Sequence, residues 1–294
     1  MIDLSVEIGP IKLKNPVLLA SGVWDFPYTK IIDFEKLGGV IYKSISLKPR
    51  DGNLPPRIAE VPYGLINSIG LENKGVNFFN KEVLPKLKNL KTNVFVSIFG
   101  ETIEEFSIIA SKIKDVDGIE LNVSCPNVKR GGESFGKDPE MVFLITKAVC
   151  KSTSLPIIVK LPPSYTNIEE LAKKAKEGGA VAVTVANTFP AIAIDIEKRE
   201  PFFKGITGGL SGPAIKPISL YNVYRIKKSV YIPIIGSGGI ANYKDVLEYI
   251  FAGAIAVQLG SIIFNNPLAP VEILYNLEKW MREKGYFSLK DLTK

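Results

Sequence analysis

Eight short apolar runs punctuate the chain, and helical spacing fills most of the intervals between them. The runs are 16–20, 40–46, 93–99, 118–124, 156–161, 180–187, 233–238 and 254–261. Each is rich in β-branched residues and nearly continuous in its apolar character. Strands covered on both faces read this way, as in a parallel sheet, whereas half-solvated strands alternate. Between them, Ile103, Phe106, Ile109, Ala110 and Ile113 recur three or four apart, which predicts one stripe of a helix over 102–114. Segments 139–151, 168–177, 218–228 and 243–252 follow the same rule. Glu177-Gly178-Gly179 and Ala252-Gly253 stop two of these helices just before the next strand.

Eight βα units in about 250 residues predict an α/β fold, the (β/α)8 barrel of the TIM type. An open doubly wound sheet is the alternative. Three stretches break the alternation. Residues 2–15, with Gly9-Pro10 at a turn, predict an N-terminal β-hairpin covering the barrel floor. Residues 47–77 and 188–217 are long excursions, expected as inserted loops over the C-terminal face that serve a site. With no linker or repeat, residues 1–294 read as a single domain.

Composition narrows the chemistry. The net charge of +7 comes from 37 Lys+Arg against 30 Asp+Glu and is spread along the chain. Its densest stretch, 81–91, reads as the solvated face of a helix. No basic block is interleaved with aromatics, which argues against nucleic acid, while mild basicity suits an anionic substrate or a phosphate-bearing cofactor. Two cysteines, Cys125 and Cys150, are too few for a disulfide scaffold and fit a reducing, cytoplasmic setting. The first 20 residues carry Asp3, Glu7, Lys12 and Lys14, unlike a leader peptide, and no apolar run approaches the ~18 residues of a membrane span. There is no histidine. That excludes a His base, a Ser-His pair and a His-ligated metal, and two isolated cysteines lack zinc spacing, so no metal is expected.

Catalysis in such a barrel occurs at the C-terminal strand ends. The residues there are Ala20-Ser21-Gly22, Lys43-Ser44, Ser97, Asn122, Ser124-Cys125-Pro126-Asn127, Lys160, Asn187-Thr188, Gly238-Gly239 and Gly260-Ser261. Lysines inside apolar strands are costly unless an anion meets them, which marks Lys43 and Lys160; either one alone also reads as half of a structural salt bridge. The amides of Asn122, Asn127 and Asn187 pair donors with acceptors and match a planar imide ring. Glycines after the seventh and eighth strands let backbone N–H groups approach a phosphate. Cys150 sits on a helical apolar stripe and reads as packing. Cys125, in a loop at the active end, reads from position either as inert or as a base or nucleophile.

These motifs resemble the dihydroorotate dehydrogenase family over nearly the whole chain. The carrying segments are NPVLLASG at 15–22, NSIGLENKG at 67–75, ELNVSCPN at 120–127, VKLP at 159–162, Asn187-Thr188, GGLSGPAIKP at 208–217 and PIIGSGG at 233–239. The resemblance implies oxidation of (S)-dihydroorotate to orotate with FMN in pyrimidine synthesis. It implies Cys125 as the base for the C5 proton while hydride leaves C6. Lys43, Asn67, Asn122, Asn127, Asn187 and Thr188 would hold the substrate, with backbone contacts from Ile69, Gly70 and Leu71. Ala20, Ser21, Gly22, Lys43, Ser44, Ser97, Asn122, Lys160, Ala186 and Gly212 would surround FMN, and Gly238, Gly239, Gly260 and Ser261 would take its phosphate. Relatives usually carry Asn where Ser97 stands; serine is shorter, and a bridging water is the alternative to a direct contact there.

Cysteine at 125, where membrane-linked relatives have serine, points to the soluble class. Within it the chain is most similar to the two-subunit type, which passes electrons to NAD through a partner carrying FAD and an iron–sulfur cluster. Two cysteines cannot ligate such a cluster here. A homodimer of this chain within a heterotetramer is expected. The alternative is the self-sufficient fumarate-reducing type. Residues 128–138, with Gly131, Gly132 and Gly136, are expected to form a lid over Cys125. Three other readings remain: a flavin barrel acting on a related pyrimidine, a phosphate-binding lyase or isomerase barrel, and a non-catalytic binding barrel, the last disfavoured by Cys125 among three amides and two lysines.

Overall fold

A computed structural model describes residues 2–124, 135–163 and 166–293. Each of the eight apolar runs forms a barrel strand, trimmed by one or two residues at one or both ends, and the second strand also starts one residue before its run. A hairpin of β1 (Val6–Ile8) and β2 (Ile11–Leu13) precedes them. The first four barrel strands are β3 (Val17–Leu19), β4 (Gly39–Ile45), β7 (Asn93–Ile98) and β8 (Gly118–Asn122). The others are β9 (Ile157–Lys160), β10 (Ala182–Val185), β15 (Ile234–Ser237) and β16 (Ala256–Leu259). All neighbours run parallel and the ring closes in the order β10-β15-β16-β3-β4-β7-β8-β9. The open-sheet alternative is thereby excluded.

The hairpin plugs the floor. Ile8, Ile11 and Leu13 pack against Leu18, Ile41, Phe95, Ile158, Ala182, Ile235 and Ala256, the lowest inward side chains of seven strands. Inward residues recur every second position along a strand, so the next level up falls on Ser97, Glu120, Lys160, Thr184 and Gln258, all buried. The interior is thus apolar below and polar toward the mouth.

The predicted helices appear as Ile103–Lys112, Pro139–Ser152, Ile168–Glu177, Lys216–Ser229 and Tyr243–Ala252. A capping box between Asn242 and Asp245 starts the last of these, and Gly253, left-handed at φ 111°, ends it. The stretch 81–91 is only partly the solvated helix face expected. Helical turns cover 75–87, and Val83, Leu84 and Leu87 are buried while the lysines face water. Helix Ala269–Glu283 completes the outer ring through Ile273, Leu274, Leu277 and Met281. Among the described residues no helix is long and apolar enough to cross a membrane.

The two excursions meet. Strands β5 (Ile58–Val61) and β6 (Gly64–Asn67) come from the first. Strands β11 (Phe189–Ala191), β12 (Ile194–Asp195), β13 (Glu200–Pro201) and β14 (Gly208–Ser211) come from the second. They form a four-stranded sheet in the order β11-β14-β6-β5, and β12 pairs with β13 as a separate ribbon. Because both excursions leave C-terminal strand ends, this sheet rises beside the barrel mouth. Its register sets Asn67 opposite Gly209.

Candidate active site

Two kinds of rim face each other across the mouth. On one side stand glycines. Gly22 follows β3, Gly238-Gly239 follow β15 and Gly260-Ser261 follow β16, three strands adjacent in the barrel. A Cβ added at Gly22 or Gly260 would meet nothing within 4 Å, so both look into open space. Among the described residues the N–H groups of Gly239, Gly260 and Ser261 have no protein acceptor. Backbone donors left free together form a concavity suited to an anion. Tyr249 holds this rim: it packs where a Cβ on Gly236 would stand, 2.2 Å away, and donates from its hydroxyl to Gly238 O at 2.7 Å. Burial pushes that hydroxyl well above its ordinary range, so it stays a donor. Lys216 spans to Asp245 at 2.6 Å and Glu248 at 2.7 Å, bracing Gly239, whose Cβ would overlap it.

Opposite, β8 stands four places round the ring from β16. Here the side chains are amides and hydroxyls. Asn187 Nδ2 donates to Ser124 Oγ at 2.8 Å and to Asn122 Oδ1 at 3.3 Å, and Ser124 Oγ donates to Asn122 Oδ1 at 3.1 Å. Asn122 Nδ2 donates to Ser44 Oγ at 3.2 Å. Ser44 and Ser97 share a hydrogen bond of 2.7 Å between hydroxyls, with Ser97 buried. Serine at 97 therefore supports Ser44. A register shift between Tyr42 and Ile45 sets two residues, Lys43 and Ser44, against Ser97 on β7. Among the described residues Lys43 has no ion-pair or hydrogen-bond partner; it borders a groove of about 650 Å3 with Arg50, Asn73 and Lys74.

The inserted sheet supplies the third wall. Asn67 Nδ2 donates to Gly209 O at 3.1 Å, and Thr188 packs so tightly on Gly209 that a Cβ there would lie 2.0 Å from its Oγ1. Beyond β6 the chain turns through left-handed values at Gly70 (φ 76°) and Leu71 (φ 58°). Asn53 N donates to Ile69 O, and Asn73 Nδ2 donates to Leu71 O at 2.8 Å. These bonds pin the carbonyls and leave the N–H groups of Ile69, Gly70 and Leu71 without an acceptor among the described residues. Three successive free donors are another anion-ready surface.

The sequence-predicted residues on the described segments thus gather around one mouth. Ala20 and Ala186 are buried just past β3 and β10. Gly212 lies at the end of β14, against Gly64, and its carbonyl approaches Gly239. Cys125 and Asn127 lie outside the described residues, as does the segment 128–134 of the expected lid. At its far end, Gly136 is buried, and a Cβ there would press on Val123 O and Pro162. Cys150 is half-buried against Gly179, and burial raises its thiol, as packing implies. The anion required by Lys160 is already present in the chain, because Glu120 lies 3.6 Å away. Sequence reasoning passed over Glu120, Thr184 and Gln258, although isolated polar residues in apolar runs are the same signal that marked Lys160.

Fold and rim together define a (β/α)8-barrel enzyme whose mouth offers an anion cradle on one side and a ring of amides on the other. The sequence model of the dihydroorotate dehydrogenase family matches residues 3–281, and the chain belongs to that family. Its relatives include proteins named dihydroorotate dehydrogenase B (NAD(+)), catalytic subunit. One from Caldicellulosiruptor saccharolyticus is 51% identical over 99% of this chain and 98% of its own length. Another from a Thermoanaerobacter species is 49% identical over 95% and 94%. A third from Desulforamulus reducens is 45% identical over 99% and 98%.

Proposed function

We propose that this chain is the FMN-binding catalytic subunit of a two-subunit dihydroorotate dehydrogenase. It oxidises (S)-dihydroorotate to orotate in pyrimidine biosynthesis. The observation that carries the reading is the pairing of two donor-rich anion surfaces, at 69–71 and at 239 and 260–261, across a mouth lined by Asn67, Asn122 and Asn187. A substrate carrying one carboxylate on an imide ring, beside a cofactor carrying one phosphate, asks for this set.

FMN fits these residues: free backbone donors at Gly239, Gly260 and Ser261 with open space at Gly22 and Gly260 for a phosphate, and Lys160 with Ser44 and Asn122 toward a flat polar ring. When bound, it supplies acceptance of the hydride that leaves C6. The chain supplies the rest. Ile69, Gly70 and Leu71 hold the substrate carboxylate through their N–H groups. Asn67, Asn122, Asn127 and Asn187, with Thr188, hold the ring edges and fix which face meets the cofactor. Lys43 adds positive charge for an anionic substrate. Cys125, as thiolate, takes the C5 proton, and the electron pair left behind completes the C5=C6 double bond.

The names of the relatives support a partner subunit, and two cysteines in 294 residues cannot ligate an iron–sulfur cluster, so this reading puts the cluster, with FAD, on that partner and takes NAD as the final acceptor. The test is an anaerobic titration of the FMN-loaded chain with dihydroorotate and, separately, dihydrouracil. Bleaching of the flavin band by dihydroorotate alone is expected. Bleaching by dihydrouracil alone, or a chain that takes up no FMN, would overturn the reading.

A further inference from the structure

The barrel interior holds a fully buried carboxylate to which the catalytic reading gives no task. Glu120 stands on β8 two residues below Asn122, on the same inward face, with 0% exposure. Its Oε2 accepts from Thr184 Oγ1 at 2.9 Å and from Gln258 Nε2. Its Oε1 accepts no hydrogen bond and lies 3.6 Å from the ammonium of Lys160. Lys160 donates to Gln258 Oε1 at 3.0 Å. Gln258 therefore has one orientation that serves both neighbours, carbonyl to the ammonium and amide to the carboxylate. Four strands, β8, β9, β10 and β16, each contribute one member.

Packing does not require this arrangement. Barrel interiors are ordinarily filled by branched apolar residues, and a buried ion pair is often replaceable by apolar side chains without loss of stability. The polar group also occupies one level only, between the apolar floor and the mouth. Its free oxygen, Oε1, is turned to Lys160, the cation that the flavin reading sets toward the ring. A charge at that depth acts on the mouth through a poorly screened interior.

We propose that Glu120 is a positioning residue for Lys160 and supplies the counter-charge that sets the redox potential of the bound flavin. The proposal rests on the flavin reading of the mouth given above. The carboxylate draws the ammonium inward through Gln258 and cancels part of its field. With Glu120 neutral, the ammonium stands uncompensated, and uptake of negative charge in the mouth becomes more favourable.

The test is a dye-equilibrated reductive titration of the FMN-loaded full-length chain under anaerobic conditions, comparing wild type, Glu120→Gln and the double variant Glu120→Gln/Lys160→Met. Glu120→Gln should favour reduced over oxidised flavin by about tenfold or more at a fixed potential, a positive shift of 29.6 mV or more for this two-electron couple. The double variant, which removes both charges, should return to within about threefold of wild type. A merely structural role would not reverse in this way. If Glu120→Gln does not fold, Glu120→Asp serves as the second arm, with a smaller shift of the same sign because the carboxylate withdraws by one methylene. A titration unchanged in Glu120→Gln, or unchanged in Glu120→Asp where that arm is needed, overturns the proposal. So does an equal shift in the single and double variants. A wild-type chain that binds no FMN would instead remove the flavin reading.

Discussion

Substituting Gly209 with alanine adds one methyl group where the inserted sheet presses on Thr188 at the barrel mouth. The new Cβ would lie 2.0 Å from Thr188 Oγ1, 2.7 Å from Thr188 Cβ and 3.5 Å from Asn67 Nδ2. Ordinary contact begins near 3.4 Å, so Thr188 must retreat by about 1.4 Å, the difference between 3.4 and 2.0. Its Cβ is among the clashing atoms, so rotating the side chain is not enough and the backbone at 188 must follow. Gly209 has no left-handed φ, so the perturbation is steric rather than conformational. Overpacking of this kind costs roughly 1–3 kcal/mol in stability. A displacement of ~1 Å in a positioning group costs on the order of 10^2-fold in rate. The expected outcome is a fall of about 10^2 in kcat/KM for dihydroorotate, weaker orotate binding and unchanged FMN affinity, because no expected phosphate contact lies near Gly209. Steady-state kinetics with an artificial acceptor, flavin difference spectra with orotate and a thermal melt measure these. A variant within threefold of wild type in kcat/KM would refute the role given to Thr188 and its wall.

Two further outcomes test other parts of the account. Lys43→Ala should weaken orotate binding more than FMN binding, read by titrating each ligand; equal losses would make Lys43 a support of the fold. Stability should decline as pH rises above about 9. Burial raises Cys150 above its ordinary 9.0, so the unfolded chain releases that proton first and gains from alkali. The contribution is whole below the unfolded pKa and is lost as pH climbs through the folded one. Tyr42, pushed up to about 12 by burial and then by Asp25, and Tyr249, raised chiefly by burial, extend the decline to higher pH. Cys150→Ala should flatten the first part of the curve in denaturant melts between pH 8 and 10, and an unaltered slope would contradict that assignment.

The barrel was legible because its strands are covered on both faces. Near-continuous runs such as 156–161 admit few other readings, and Gly9-Pro10 between two short apolar segments marked the floor hairpin. Helix Ala269–Glu283 carries the same spacing as the helices that were read, at Ile273, Leu277 and Met281, and could have been found. The inserted sheet could not. Asn67 and Gly209 are far apart in sequence, their strands are only partly buried, and nothing local sets the pairing of two loops. Glu120 and Gln258 could be seen as polar residues in apolar runs. That they meet Lys160 and Thr184 depends on inward direction and barrel register, which only closure of the ring defines. The candidate site followed the same division: motif residues at strand ends were legible, while the tight contact at Gly209 and the free donors of 69–71 belong to the inserted sheet.

The central claim is that Cys125 removes a proton from dihydroorotate as hydride departs to FMN. Single-turnover reduction of the FMN-loaded chain by dihydroorotate, followed anaerobically by stopped flow, tests it most directly. Cys125→Ala is predicted to slow flavin bleaching by ~10^2–10^4, with orotate still binding. A variant that bleaches at the wild-type rate would contradict the account.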